Sequence, residues 1–176
     1  MVAQLPAISV NDDSSQKIPL TVGYFKDLCS RFMSEKSAKL AEKLTLEPPV
    51  EAVSTGSVFL DEWYEKERCL RLALAQIRAL KMKKDVKELP STSDGESIQA
   101  ARTATGMDSP LAAEQYLNQY RLGVLDRIAP MDNFSADAVY SYGLKLMLAE
   151  RMKKFNKDEG LASYHKIYDE ILGEKK

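Results

Sequence analysis

From Ser57 to Lys84 the chain runs without an interior glycine or proline. Phe59, Leu60, Trp63, Leu70, Leu74 and Ile77 recur across this stretch at helical spacing, and Leu72 and Leu80 widen the stripe. Such a period places apolar side chains on one face of a single long α-helix. Ser57 is a suitable N-cap, because its hydroxyl can accept from an amide that the first turn leaves without a partner. Asp61, Glu62 and Glu65 stand near the start, and Arg78, Lys81, Lys83 and Lys84 near the end. Both sets are placed to offset the helix dipole. About 28 residues make a rod of roughly 40 Å. Whatever else the chain does, it must build around this rod.

The flanking segments follow the same logic. Thr21 is a cap ahead of Phe25, Leu28 and Phe32, and Ser34 restarts the chain into a second helix carrying Leu40, Ala41 and Leu44. Pro48-Pro49 ends that helix, since proline can neither donate the next hydrogen bond nor follow a helical residue comfortably. The two predict an αα-hairpin. Residues 2–10, interrupted by Pro6, suit either an edge strand or an extended lead-in. Residues 85–97 hold Leu-Pro-Ser-Thr-Ser-Asp-Gly-Glu-Ser, rich in turn formers and poor in apolar residues, and predict a flexible linker between an N-terminal and a C-terminal helical part of one domain. After a short helix over 98–104, Ser109-Pro110 opens a helix to about Ile128, Ser135 opens another to about Phe155, and Leu161 to Leu172 form a last one closed by Gly173. The expected fold class is all-α: a helical bundle with one long helix over 57–84, a C-terminal three-helix group and a short extended N-terminus.

Composition narrows the function classes. In 176 residues, 25 Lys and Arg balance 26 Asp and Glu, for a net charge of -1. A dedicated nucleic-acid binder draws its affinity from clustered cationic charge, so no nucleic-acid partner is expected. With 44% hydrophobic residues the chain is not of the disordered class. No run approaches the ~18 apolar residues of a membrane span, and residues 1–11 lack the charged start and apolar run of a signal peptide. Cys29 and Cys69 fall in helices without any CxxC pair, which favours buried thiols over a disulfide. The expectation is a cytoplasmic protein without a direct membrane span.

Catalytic signatures are missing from the sequence. It contains no GxxxxGK[ST], GxGxxG, GxSxG or HExxH pattern. The one histidine, His165, has Asp169 four residues on, and the plain reading is a surface imidazole beside an acid. Glu62 and Glu65 share a helix face as di-iron ligands would, yet the Glu-x-x-His pairs that such a centre takes from other helices do not occur. No catalytic residue, cofactor or metal ligand is expected. Trp63-Tyr64 suits either core packing or an exposed aromatic anchor. Arg71 and Arg78, seven residues and so close to two turns apart, share a side of the long helix. With Arg151 they are the candidate partner-binding residues, since the planar guanidinium recognises carboxylates in pairs of hydrogen bonds. The competing reading makes these arginines ties between neighbouring helices.

Three segments, in order, resemble a family. Val2-Ala3-Gln4-Leu5-Pro6-Ala7-Ile8 followed by Leu20 to Cys29, then Cys69 to Lys81, then Asn133 to Tyr140 leading into Leu146 to Arg151, are similar to short bacterial proteins akin to the C-type (or d-type) subunit of V-type ATPases. Full-length members of that family are funnels of three helical lobes built from a longer chain, and Cys69 stands where the family tends to place Asn. The resemblance implies a reduced all-α version and a mechanical, non-catalytic role: an adaptor seating the central stalk of a rotary ATPase on its membrane ring. Its partners would be the proteins of that stalk and ring, which would place it at the membrane periphery through the complex. The alternative is a free-standing helical protein-interaction module.

Overall fold

The computed structural model describes residues 5–8, 18–52, 54–83, 90–154 and 157–173. Among them it contains seven helices and no strand: α1 Val22–Phe32, α2 Glu35–Glu42, α3 Val58–Lys81, α4 Gly95–Gly106, α5 Pro110–Arg127, α6 Ala136–Lys153 and α7 Lys157–Leu172. The all-α expectation holds. Each of α1 to α6 begins at a side chain that accepts from a first-turn amide: Thr21, Ser34, Ser57, Asp94, Ser109 and Ser135. A cap of this kind contributes about 1 kcal/mol relative to alanine, so the helix starts are written locally. The α1 start takes a second acceptor from far along the chain, where the Val22 amide donates to Glu150 Oε1 of α6 at 2.8 Å. Ser57, besides capping α3, donates to Asp137 in the first turn of α6 at 2.6 Å.

The long helix is shorter than its periodicity suggests. It spans 24 residues and stops at Lys81, because Lys83 adopts a left-handed φ of 53°. Lys84 lies outside the described residues. So do residues 85–89 of the expected linker; of the rest, 90–94 are loop, while 95–97 already belong to α4, whose cap Asp94 sits among the turn formers.

Two apolar clusters meet along α3. The first joins its N-terminal half (Phe59, Leu60, Trp63, Tyr64) to Phe25 and Cys29 of α1, Ala41 and Leu44 at α2, Val124 and Leu125 of α5, and a run of α6 from Val139 to Leu148. The second joins the C-terminal half (Leu70, Ala73, Leu74) to Ala100, Ala101 and Ala104 of α4 and to Leu117 of α5. Alanines on the inner face of α4 let it lie close to α3, and Tyr120 packs against both clusters. Trp63 and Tyr64 are both buried, so the exposed-anchor reading of that pair is corrected. Helical spacing does not distinguish the two readings, and contacts with α1 and α6 decide for the core. Leu5 and Ile8 pack on the first cluster from outside any helix or strand, and Tyr142 Oη donates to the Pro6 carbonyl at 2.9 Å. Of the two cysteines, Cys29 is wholly buried and Cys69 half-buried, and both are free thiols. Burial pushes the Cys29 thiol up to about 11.

The expected C-terminal group of three helices is instead a packed pair, α5 and α6, with α7 standing apart. Every residue from Gly160 to Gly173 is exposed. The physical reason lies in α6, whose buried residues face α1, α2, α3 and α5 and leave no apolar face for a further helix.

Gly143 of α6 lies tight against α1 and the end of the α2 segment. A Cβ added there would lie 2.6 Å from Phe25 Cε1 and 3.0 Å from Leu44 Cδ1. Both neighbours are core residues, so Gly143→Ala should lower stability by about 1–3 kcal/mol despite the gain in helix propensity. A urea midpoint at or above that of the natural protein would refute the close approach of α1 to α6.

Acid should act on the helix starts. Burial alone would raise the Asp61 carboxyl, but hydrogen bonds from Ser54 and from the amide and hydroxyl of Thr55 outweigh it and hold the group below its ordinary value. Asp94 is likewise lowered against its desolvation by Ser97 and Lys66. A depressed folded pKa means that the unfolded chain binds more protons in acid. The stabilisation is complete above the ordinary carboxyl range near pH 4 and is lost as pH falls through the depressed values. Asp61→Asn should therefore lower the urea midpoint at about pH 7, and by progressively less as the pH falls through the depressed value. A shift that does not diminish on acidification would contradict this assignment.

Candidate functional site

The expected arginine surface is mostly spent inside the molecule. Arg71 donates through Nε to Glu67 Oε1 at 2.8 Å and through Nη2 to the Leu46 carbonyl at 3.4 Å. It therefore ties α3 to the segment after α2. Glu67 lies one turn before Arg71 on the same helix face, and the guanidinium folds back to it. Arg151 of α6 pairs with Glu114 of α5 at 2.9 Å and is half-buried. Arg78 alone of the three is exposed. The structure thus separates the pair that the sequence placed together: Arg71 belongs to the interior network and Arg78 to the solvent face.

The network around Glu67 escaped the sequence. This carboxylate is 2% exposed, in the middle of α3 between the two apolar clusters. Arg121 of α5 grips it with both arms, Nε to Oε2 and Nη2 to Oε1, each at 2.9 Å. Arg71 adds a third donor. Arg121 Nη1 reaches the Asn118 side-chain carbonyl, and the Asn118 amide in turn meets the Met152 sulfur of α6. A two-armed guanidinium–carboxylate pair is among the stronger and more directional polar contacts. Only the Glu67–Arg71 spacing was visible locally; Arg121 comes from another helix.

A second tie holds α4. Lys66 Nζ lies 3.0 Å from Asp94 Oδ1 at the α4 cap, and the hydrogen bond to Asp94 outweighs desolvation and raises the Lys66 ammonium above its ordinary value. Lys81 Nζ donates to the Thr105 carbonyl near the other end of α4. The second of these contacts uses a lysine of the basic end of α3 within the fold.

Among the exposed large apolar side chains of the described residues, six stand on one helix, α7. Leu161, Tyr164, Ile167, Tyr168, Ile171 and Leu172 are between 50% and 77% exposed. Contiguous apolar surface of this kind marks an interaction site more often than scattered single residues do. Met131 and Phe134, in the turn between α5 and α6, are also exposed. Among the described residues no group of three or more His, Cys, Asp and Glu side chains is placed to hold a metal ion, and no helix is long and apolar enough to cross a membrane. The chemistry on offer is recognition by apolar contact, with α7 as the candidate surface.

Removing the Glu67 carboxylate should be costly. Glu67→Ala leaves two buried or half-buried guanidinium groups without their acceptor, and should destabilise by about 3–5 kcal/mol. Arg78→Glu, on the exposed side of the same helix, should stay within about 0.5 kcal/mol of the natural protein. Urea unfolding of both variants tests the division; comparable losses would place Arg78 in the interior network as well.

Comparison with protein-family models, with curated proteins and with solved structures found no match to this chain.

Proposed function

We propose that the protein is a non-catalytic adaptor or accessory component of a V-type rotary ATPase, working between the central stalk and the membrane ring. The observation that carries this reading is where the three family-like segments fall. Leu20 to Cys29 covers most of α1, Cys69 to Lys81 is the second half of α3, and Asn133 to Arg151 leads into and fills most of α6. The first and last pack on each other through Phe25, Cys29, Leu144 and Leu146; the middle one packs through Leu70, Ala73 and Leu74 on α4 and α5, and α5 in turn packs on α6. Segments scattered along the chain are therefore parts of one packed body, as a shared architecture requires. Support of a physical kind comes from the cross-links between helices. A part that passes torque needs helices that do not slide, and directional ion pairs such as Glu67–Arg121 oppose sliding.

The exposed apolar face of α7 favours a second reading equally, a free-standing helical interaction module. Native-membrane extracts separate the two. Affinity-tagged protein should bring down the stalk and ring proteins of the ATPase after mild detergent extraction. Recovery without any of them, under conditions where the ATPase itself stays assembled, would exclude the adaptor and leave the module.

A further inference from the structure

We propose that α7 is a self-pairing helix, through which two copies of the chain join in antiparallel fashion. Leu161, Tyr164, Tyr168 and Ile171 follow the three-four-three spacing of a coiled-coil seam. Read along the helix the seam is aliphatic, aromatic, aromatic, aliphatic, and it reads the same backwards. An antiparallel second copy therefore sets Leu161 against Ile171 and Tyr164 against Tyr168, and then the reverse, as a two-fold interface demands. Ile167 falls beside the two-fold axis. Within one copy the Tyr164 and Tyr168 rings are already stacked, 6.0 Å apart at an interplanar angle of 26°, so both lie along one side.

Area supports a second copy as the occupant. Six large side chains, half to three-quarters exposed, leave on the order of 600 Å² of apolar surface per copy, so a self-pair buries up to about 1,200 Å², the lower edge of stable interfaces. Antiparallel alignment also sets the two helix dipoles against each other favourably. Charge disfavours a lipid surface: from Gly160 to Gly173 the polar side carries Lys166 against Asp169 and Glu170, whereas helices that lie on anionic membranes are rich in lysine and arginine.

Sedimentation equilibrium of the full chain from about 1 to 500 μM brackets such an interface. The mass should rise from one chain to two, and the double variant Tyr168→Glu/Ile171→Glu should stay at one, with its thermal midpoint unchanged because α7 lies outside the core. A natural protein that remains a monomer throughout overturns the proposal, and so does a double variant that still dimerises. Monomer that pellets with phosphatidylglycerol vesicles would assign the face to lipid instead. Orientation is read separately, in a Cys69→Ser background under mild oxidation. Ile167→Cys should form a disulfide-linked dimer, and Leu161→Cys alone should not. Equal cross-linking of the two would overturn the antiparallel arrangement.

Discussion

The Glu67 carboxylate, gripped by Arg121 and touched by Arg71, is the interaction on which the arrangement of the helices turns. It sits where the two apolar clusters abut on α3, and it fixes α5 against that helix at one register. Burying the Glu67–Arg121 pair is expensive, and well-packed apolar residues of equal volume would often be as stable or more so. The ionic group supplies directionality that apolar contact lacks. A slip of α5 by one turn, about 5.4 Å, would carry Arg121 away from the carboxylate and leave Glu67 buried beside apolar chains. The tie therefore acts on register, while the leucines and aromatics of the two clusters provide the bulk of the driving force. Asn118 and Met152 extend the same constraint to α6, and the Leu46 carbonyl extends it to the end of α2.

How much of this was legible depends on how local each signal is. Caps are decided within four residues, so Thr21, Ser34, Ser57, Ser109 and Ser135 could be read directly. Asp94 caps α4 just as well, yet it stands among Pro90, Ser91, Thr92 and Ser93, where every residue suits a turn. The helix it opens buries alanines and no large side chain, which leaves a weak periodic signal. The end of α3 was misplaced because Lys83 takes a left-handed conformation without a glycine or asparagine to mark it.

The candidate site was legible only in part, for a related reason. Glu67 and Arg71 are one turn apart and could be paired on sight, but Arg121 reaches Glu67 across 54 residues of chain. No spacing rule reports a contact of that length. Periodicity likewise identified the apolar face of α7 correctly, and Gly173 ends that helix at a φ of 68°. A stripe records that a face wants to be covered and says nothing of what covers it. Packing α7 beside α5 and α6 was the natural assumption, and it failed because α6 had already spent its apolar surface on four other helices.

The separation of α7 from the body has an energetic consequence for any partner. A 16-residue helix without tertiary support is marginal in water. Its own hydrogen bonds and the Tyr164–Tyr168 contact must therefore be reinforced when its apolar face is covered. Fully burying a leucine, isoleucine or similar side chain is worth about 1.5–3 kcal/mol, and six half-exposed ones carry a substantial sum. Part of that sum goes into holding the helix, at up to about 1–2 kcal/mol of backbone entropy per residue that would otherwise fray. Association through α7 is for that reason weaker than its area suggests and sensitive to anything that changes helicity. The body, held by caps and buried ion pairs, does not share this sensitivity. Rigidity and recognition are thus carried by different parts of the chain: α1 to α6 keep one geometry, and α7 offers the surface whose order and whose partner arrive together.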